Sequence, residues 1–406
     1  MMKIMTKLAS TLVLLSTTAV SAIPAPYTYD CTVAEEFRMR DGLPNFFEKI
    51  QSGEEVRIAY LGGSITEASG GWRVKTMAWF KQQFPKARFI EINAAISGTG
   101  SDFSACRLQD DVLVKKPDLV FLECRVNGGG GFEQESVEGV VRHIWRNNPQ
   151  TDICFIYTIS QPMLKDMQAG RPTGFGTIME TIANHYGIPS IDLGVEIAKL
   201  EQEGKLIFKA AEPEEGKIVF SKDGTHPGDE GHRIYCEVAA RSLLKMQNKA
   251  SVMEHALGSP LNPNCWETAS LLPVVKTELS AGWIPVDPQA DSVYTDGTTR
   301  TKNMLREAVK CSRAGETITV RWNGTTVGFS DIPCGDSMVV EAVIDGKPPI
   351  TMERKQTKPD RKLSRFWYLP AQPPGEHEVC YTVKQLPAGE SFYAGQFLIV
   401  GTPIKQ

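Results

Sequence analysis

Between about residues 56 and 245, short runs of apolar residues alternate with longer segments whose apolar positions recur every three to four residues. VRIAYLG is followed by GWRVKTMAWFKQQF, ARFIEINAAI by SACRLQDDVLVKK, and PDLVFLECRV by ESVEGVVRHIWRNN. DICFIYTIS, GTIMETIANHYG and IPSIDLG continue the alternation, and GDEGHRIYCEVAARSLLKM closes it. The continuous runs predict strands buried on both faces, and the longer periodic segments predict amphipathic helices. Strands alternating with helices predict a parallel sheet covered on both sides, which binds ligands at the carboxyl ends of its strands.

The texture changes after Met246. ASVMEHALGSPLNPNCW is irregular and proline-containing. Beyond it, ETITVRWNGTTVGFSD, SMVVEAVIDGKPP, HEVCYTVKQL and SFYAGQFLIVG are β-rich, with turn signals such as Asp345-Gly346 between them. Short strands with little helical pattern predict a small β-sandwich. At the other end, Lys3 and Lys7 precede an uncharged apolar stretch from Leu8 to Val20 and the small-residue exit Val20-Ser21-Ala22. That layout predicts a secretory leader, with an apolar stretch too short for the ~20 residues of a bilayer span. The expected organisation is a leader over 1–22, an α/β domain over 23–248, a linker over 249–270 and a β-sandwich over 271–406. The mature protein is expected to be exported, periplasmic or extracellular, without a membrane span.

A formal net charge of −4 with no basic stripe gives no footprint for nucleic acid. The nine cysteines include no Cys-x-x-Cys pair, which argues against a zinc ribbon or a thioredoxin-type site. Cys124 and Cys154 lie inside apolar runs and are expected to be buried thiols. Export permits disulfides, and the odd count leaves at least one thiol free.

Candidate chemistry starts at Ser64, in the glycine-rich turn behind RIAYLG. A phosphate-binding loop would end in Gly-Lys-Ser/Thr, and a dinucleotide site would read Gly-x-Gly-x-x-Gly; neither occurs. The Gly-x-Ser-x-Gly elbow also fails, because Thr66 stands where its last glycine belongs. A nucleophilic serine needs a base, usually a histidine held by a carboxylate. His226 in FSKDGTHPGDEGH has Asp223 three residues earlier, and a turn through Gly224 can set that carboxylate beside one imidazole nitrogen. Asp223 can equally be a turn or cap residue. Gly98 lies just past the strand ARFIEINAAI, and Asn127 stands at the end of another strand in LVFLECRVNGGGG. Together with the Ser64 N–H they can converge on one developing oxyanion.

These blocks resemble the SGNH (GDSL-type) hydrolases: Ser64 in GGSIT, Gly98 in ISGTG, Asn127 in RVNG, and Asp223 with His226 in DGTHP. The resemblance spans about residues 56 to 245, and the texture is similar to exported carbohydrate esterases that carry an accessory β-sandwich. It implies a three-layer α/β/α sandwich with a five-stranded parallel sheet. It further implies Ser64 as nucleophile, His226 as general base and then acid, and Asp223 as the group orienting His226. Ser64, Gly98 and Asn127 would form the oxyanion hole, and no metal or cofactor is needed. Two blocks depart from the pattern. Gly63 replaces the usual aspartate before the serine, and the third block reads Arg125-Val126-Asn127-Gly128 where Gly-x-Asn-Asp is usual. Two residues from Asn127, Arg125 is expected on the same side of its strand. There it can bind a uronate or another anion, with Asp102 a further candidate for substrate contact. Its alternative is a structural ion pair, for instance with Glu123 or Asp102.

The resulting expectation is a serine esterase that removes O-acyl groups, acetyl foremost, from an acylated oligo- or polysaccharide. Alternatives are a lipase or thioesterase on the same fold, a glycan-binding protein that has lost catalysis, and a glycoside-cleaving enzyme.

Overall fold

The computed structural model describes residues 26–212, 214–247, 251–295, 298–334, 337–356 and 362–405, so the expected leader over 1–22 lies outside the described residues. Six strands form the first sheet: β1 (Phe37–Arg38), β2 (Glu55–Leu61), β3 (Arg88–Asn93), β4 (Leu119–Leu122), β5 (Asp152–Tyr157) and β6 (Ser190–Asp192). Their order is β1-β6-β5-β4-β2-β3. The five expected strands β2 to β6 run parallel, and β1 adds a short antiparallel edge on β6.

The continuous apolar runs are the reason these strands sit in the middle layer: every residue of β4 and β5 is buried. Successive side chains then enter different cores. Ala59, Leu61, Val120, Leu122, Ile153 and Phe155 belong to one cluster, whereas Ile58, Tyr60, Leu119, Phe121, Cys154 and Ile156 belong to the other. The first is covered by helices Ser101–Asp111, Glu133–Asn147 and Gly174–Tyr186, through Phe103, Val140 and Met179. The second is covered by Pro44–Gln51, Trp72–Gln83, Leu193–Gln202 and Asp229–Met246, through Phe46, Trp72, Ile197 and Tyr235. The result is the expected three-layer arrangement. Because β2 has β3 on one side and β4 on the other, the chain reverses its direction of sheet growth at β2/β4, and a crevice opens there.

The all-β region is a ten-stranded antiparallel sheet among the described residues. Its longest strand, Thr317–Ile332, pairs with Gly375–Gln385 along its first half and with Phe392–Pro403 along its second. Register shifts at Gly324/Thr326 and Phe329/Asp331 let it bend, and the sheet curls around Trp322, Phe329, Val379 and Phe397.

The two regions share a core. Trp266, Ala269, Met304, Leu398 and Val400 join the first cluster of the α/β region, and Phe103 meets Phe366 in a tilted ring contact with centroids 4.9 Å apart. The segment expected as a linker is fastened down as well: Glu138 accepts the Leu261 and Asn262 N–H groups at 2.5 and 2.9 Å. The Arg142–Glu267 pair closes at 2.6 Å. Among the described residues no helix is long and apolar enough to cross a membrane.

Candidate active site

Ser64 is the first residue of a one-turn helix, Ser64–Glu67, directly beyond the carboxyl end of β2. The glycine before it is explained by a close approach. Gly63 has extended backbone (φ −98°, ψ −154°), but a Cβ on it would lie 1.9 Å from the Asn127 Oδ1. The departure at Gly63 is thus tied to Asn127, whose carboxamide occupies the space a side chain would need.

The loop between strand Ile218–Ser221 and helix Asp229–Met246 carries Asp223 and His226. The Asp223 Oδ1 accepts the Thr225 N–H (2.8 Å), the His226 N–H (2.9 Å) and the Ser221 hydroxyl (3.0 Å). Its Oδ2 is left for the His226 Nδ1, at 2.6 Å. Across the crevice, the His226 Nε2 lies 2.8 Å from the Ser64 Oγ. Partial burial would raise the Asp223 carboxyl, but the bonds from His226, Thr225 and Ser221 outweigh it and hold Asp223 well below the usual carboxylate range. An anionic Asp223 fixes the proton on Nδ1 and leaves the Nε2 lone pair facing the hydroxyl.

Ser64, Gly98 and Asn127 line the same cleft, of about 650 Å³. Neither the Ser64 N–H nor the Gly98 N–H donates to another protein group among the described residues. Two such N–H groups beside a nucleophile-base pair can receive the negative charge of a tetrahedral intermediate. Gly98 is in the left-handed region at φ +68°, a conformation that glycine adopts without steric cost. Among the described residues, no group of three His, Cys, Asp or Glu side chains has the geometry of a metal site. All nine cysteines are free, with Cys124 and Cys154 buried.

Arg125 does not reach the cleft. It is 1 % exposed, and its Nη1 and Nη2 grip Asp192 bidentately at 2.5 and 2.7 Å while Nε donates to the Thr158 carbonyl. The strand-parity expectation fails because β4 ends at Leu122 and residues 125–127 form a turn, where alternation no longer applies. The ion-pair alternative describes Arg125, with Asp192 as its partner in place of Glu123 or Asp102. Asp102 is also buried, in the first turn of helix Ser101–Asp111 against the Gly130 turn, and does not line the cleft.

Several residues that the sequence did not place at the site converge here. Glu123 is buried beneath the Ser64 turn and accepts the hydroxyls of Thr66 and Thr158 at 2.8 and 2.7 Å, bracing the turn from below. Glu67 accepts both the N–H (2.8 Å) and the hydroxyl of Ser97. Facing the α/β region, Arg300, Leu363, Ser364 and Arg365 of the all-β region form part of the cleft wall. Arg300 donates to the Ser97 carbonyl and, through Nε and Nη2, to the Ser364 carbonyl at 3.2 and 3.1 Å. No local motif marks these residues, because each acts through the tertiary fold.

Residues 60–234 match the model of the GDSL-like Lipase/Acylhydrolase family, which bears out the resemblance read from the blocks. A two-domain esterase (CEX) active on acetylated mannans has a similar structure, with a TM-score of 0.74 and 20% identity over 92% of this chain and 98% of that one. A two-domain esterase (CEX) structure with mannopentaose gives 0.70 and 21% identity, over 88% and 94%. What these structures share with this chain is the fold of both regions. No curated protein matches the sequence.

Proposed function

We propose that this protein is a serine esterase that removes O-acetyl groups from a carbohydrate, with Ser64 as nucleophile, His226 as base and acid, and Asp223 orienting His226. The observation that carries the reading is the unbroken chain Asp223 Oδ2–His226 Nδ1, His226 Nε2–Ser64 Oγ, at 2.6 and 2.8 Å, beside two N–H groups that have no protein acceptor among the described residues. The Ser64 Oγ attacks the ester carbonyl carbon as Nε2 takes its proton. The oxyanion is received by the Ser64 and Gly98 N–H groups and the Asn127 side chain. The intermediate collapses as His226 returns the proton to the departing sugar oxygen, leaving acetyl-Ser64. Water, deprotonated by His226, then attacks the acyl carbon, and acetate leaves as Ser64 regains its proton.

Three features support a small acyl group on a sugar. Among the described residues the cleft wall is mixed in polarity, with Arg300, Arg365 and Ser364 lining it beside Ser64, and it does not offer the long apolar groove a fatty acyl chain needs. The structural relatives named above act on acetylated mannans. Export, expected from residues 1–22, suits a polymeric substrate outside the cell. Acetate release from acetylated mannan and acetylated xylan, with Ser64→Ala as control, tests the proposal. Activity is expected to fall by about 10⁴–10⁶-fold in the variant. Unchanged acetate release by Ser64→Ala would overturn the assignment.

A further inference from the structure

Ser97 is clamped from both ends. Its N–H and hydroxyl go to Glu67 of the α/β region, and its carbonyl takes Arg300 Nη1 of the all-β region. The next residue is Gly98, and the Ser97 carbonyl and the Gly98 N–H belong to one peptide plane. In a trans peptide those two groups point in opposite directions and share a conjugated system. A cation seated on the carbonyl therefore fixes the direction of the N–H and draws electron density away from it, making it a stronger donor. The guanidinium lies so close that a Cβ on Gly98 would meet its Nη1 at 2.6 Å.

Arg300 is well placed to act as a fixed charge. Burial and the nearby Arg365 push it down to about 10, with Glu67 opposing, so it stays cationic at neutral pH. Its described bonds all go to carbonyl oxygens, and none of the described ion pairs includes it. A charge in such a half-buried wall is screened far less than one in open water.

We propose that Arg300 is a positioning residue of the oxyanion hole: by holding the Ser97 carbonyl, it aims and polarises the Gly98 N–H at the developing oxyanion. The all-β region thereby takes part in the chemical step without contributing a reacting group. The inference rests on the esterase reading given above.

Removing an oxyanion donor outright costs about 10²–10³ in kcat. Here the donor remains and only its anchoring is lost, so Arg300→Met is expected to lower kcat on 4-nitrophenyl acetate by about 10- to 100-fold, with KM within threefold. Arg300→Lys, which keeps a cation and a donor at the carbonyl, is expected to recover most of that loss. A kcat within twofold of the parent in Arg300→Met would overturn the proposal, as would a rise in KM at constant kcat, which would make Arg300 a substrate-binding residue. Should Arg300→Met melt early, Arg300→Lys decides alone: kcat within about threefold of the parent supports the assignment, and a 10-fold or larger loss at an unchanged melting temperature overturns it. An unmodified protein without acetyl-esterase activity would instead remove the esterase reading itself, so the two failures are distinguishable.

Discussion

Among the described residues, two histidines meet an aspartate through Nδ1, one in each region, with nearly the same internal geometry. In the α/β region, His226 Nδ1 meets Asp223 at 2.6 Å, and in the all-β region His377 Nδ1 meets Asp345 at 2.8 Å. In both, the second carboxylate oxygen accepts a backbone N–H, from His226 or from Glu378. The difference lies at the other ring nitrogen. His226 Nε2 faces the Ser64 hydroxyl, which has a proton to give, whereas His377 Nε2 lies 2.8 Å from the Pro373 carbonyl, which has none. One pair has a bond left open toward a cleft, and the other has every bond closed within the fold. The open pair is placed to exchange a proton with a hydroxyl, and the closed one has no such partner.

The largest expected effect tests this contrast directly. His226→Asn should lower kcat/KM for acetyl esters by about 10⁴–10⁶-fold. His377→Asn should leave kcat within twofold and cost only about 1 kcal/mol of stability, the net worth of a typical hydrogen bond. Steady-state kinetics and urea titrations on both variants check it. A rate loss in the His377 variant comparable to that in the His226 variant would break the comparison.

The same distinction separates the two arginines near the site. Arg125 is closed on Asp192, and Arg300 faces the cleft. Truncating Arg125 leaves the buried Asp192 carboxylate unpaired. Burial already pushes that carboxyl up, with Arg125 as the main opposing influence. Arg125→Met should therefore destabilise the fold by about 3–5 kcal/mol, as expected when one partner of a buried ion pair is removed. The folded fraction should keep its KM for acetylated oligosaccharides. A raised KM at unchanged stability would restore a substrate-binding role for Arg125.

These two arginines also mark where sequence reasoning reached its limit. The strand-helix alternation was legible because each strand must fill a core on both sides, and the five parallel strands follow from that. Asp223 and His226 were legible because a three-residue spacing closes within a single turn. Gly98 and Asn127 were expected at strand ends, and they lie in the loops that follow, five residues beyond Asn93 of β3 and Leu122 of β4. Arg125 stood in a motif and drew attention, but its partner Asp192 lies 67 residues away, at the end of β6. Arg300 stood in no motif, and it meets Ser97 across 203 residues and a domain boundary. Gly63 was legible as a departure from the usual aspartate, whereas the fold shows extended backbone whose Cβ position is taken by the Asn127 carboxamide. In each case the deciding contact is long-range, and local periodicity carries no record of it.

Asp102 offers the smallest and most conditional test of the open/closed distinction. Its carboxyl is buried at the start of helix Ser101–Asp111, where burial pushes it up to about 6 and Glu133 adds to the rise, against the backbone N–H groups of the helix end. An unfolded aspartate titrates near 3.9. Between about pH 4 and pH 6 the native state binds more protons than the unfolded chain, so stability falls as pH rises through that window and stays lower above it. Asp102→Asn keeps the shape and the acceptor at the helix start but removes the buried charge. The variant is expected to be more stable than its parent at pH 7.5, by about 2–3 kcal/mol, and to match it near pH 4. Urea midpoints at the two pH values measure the gap. A gap of equal size at both would mean that packing against the Gly130 turn, and not ionisation, sets the behaviour of Asp102. Esterase turnover should not change with the substitution, because Asp102 does not line the cleft. A change in turnover would mean that Asp102 reaches the chemistry through the Gly130 turn it packs against.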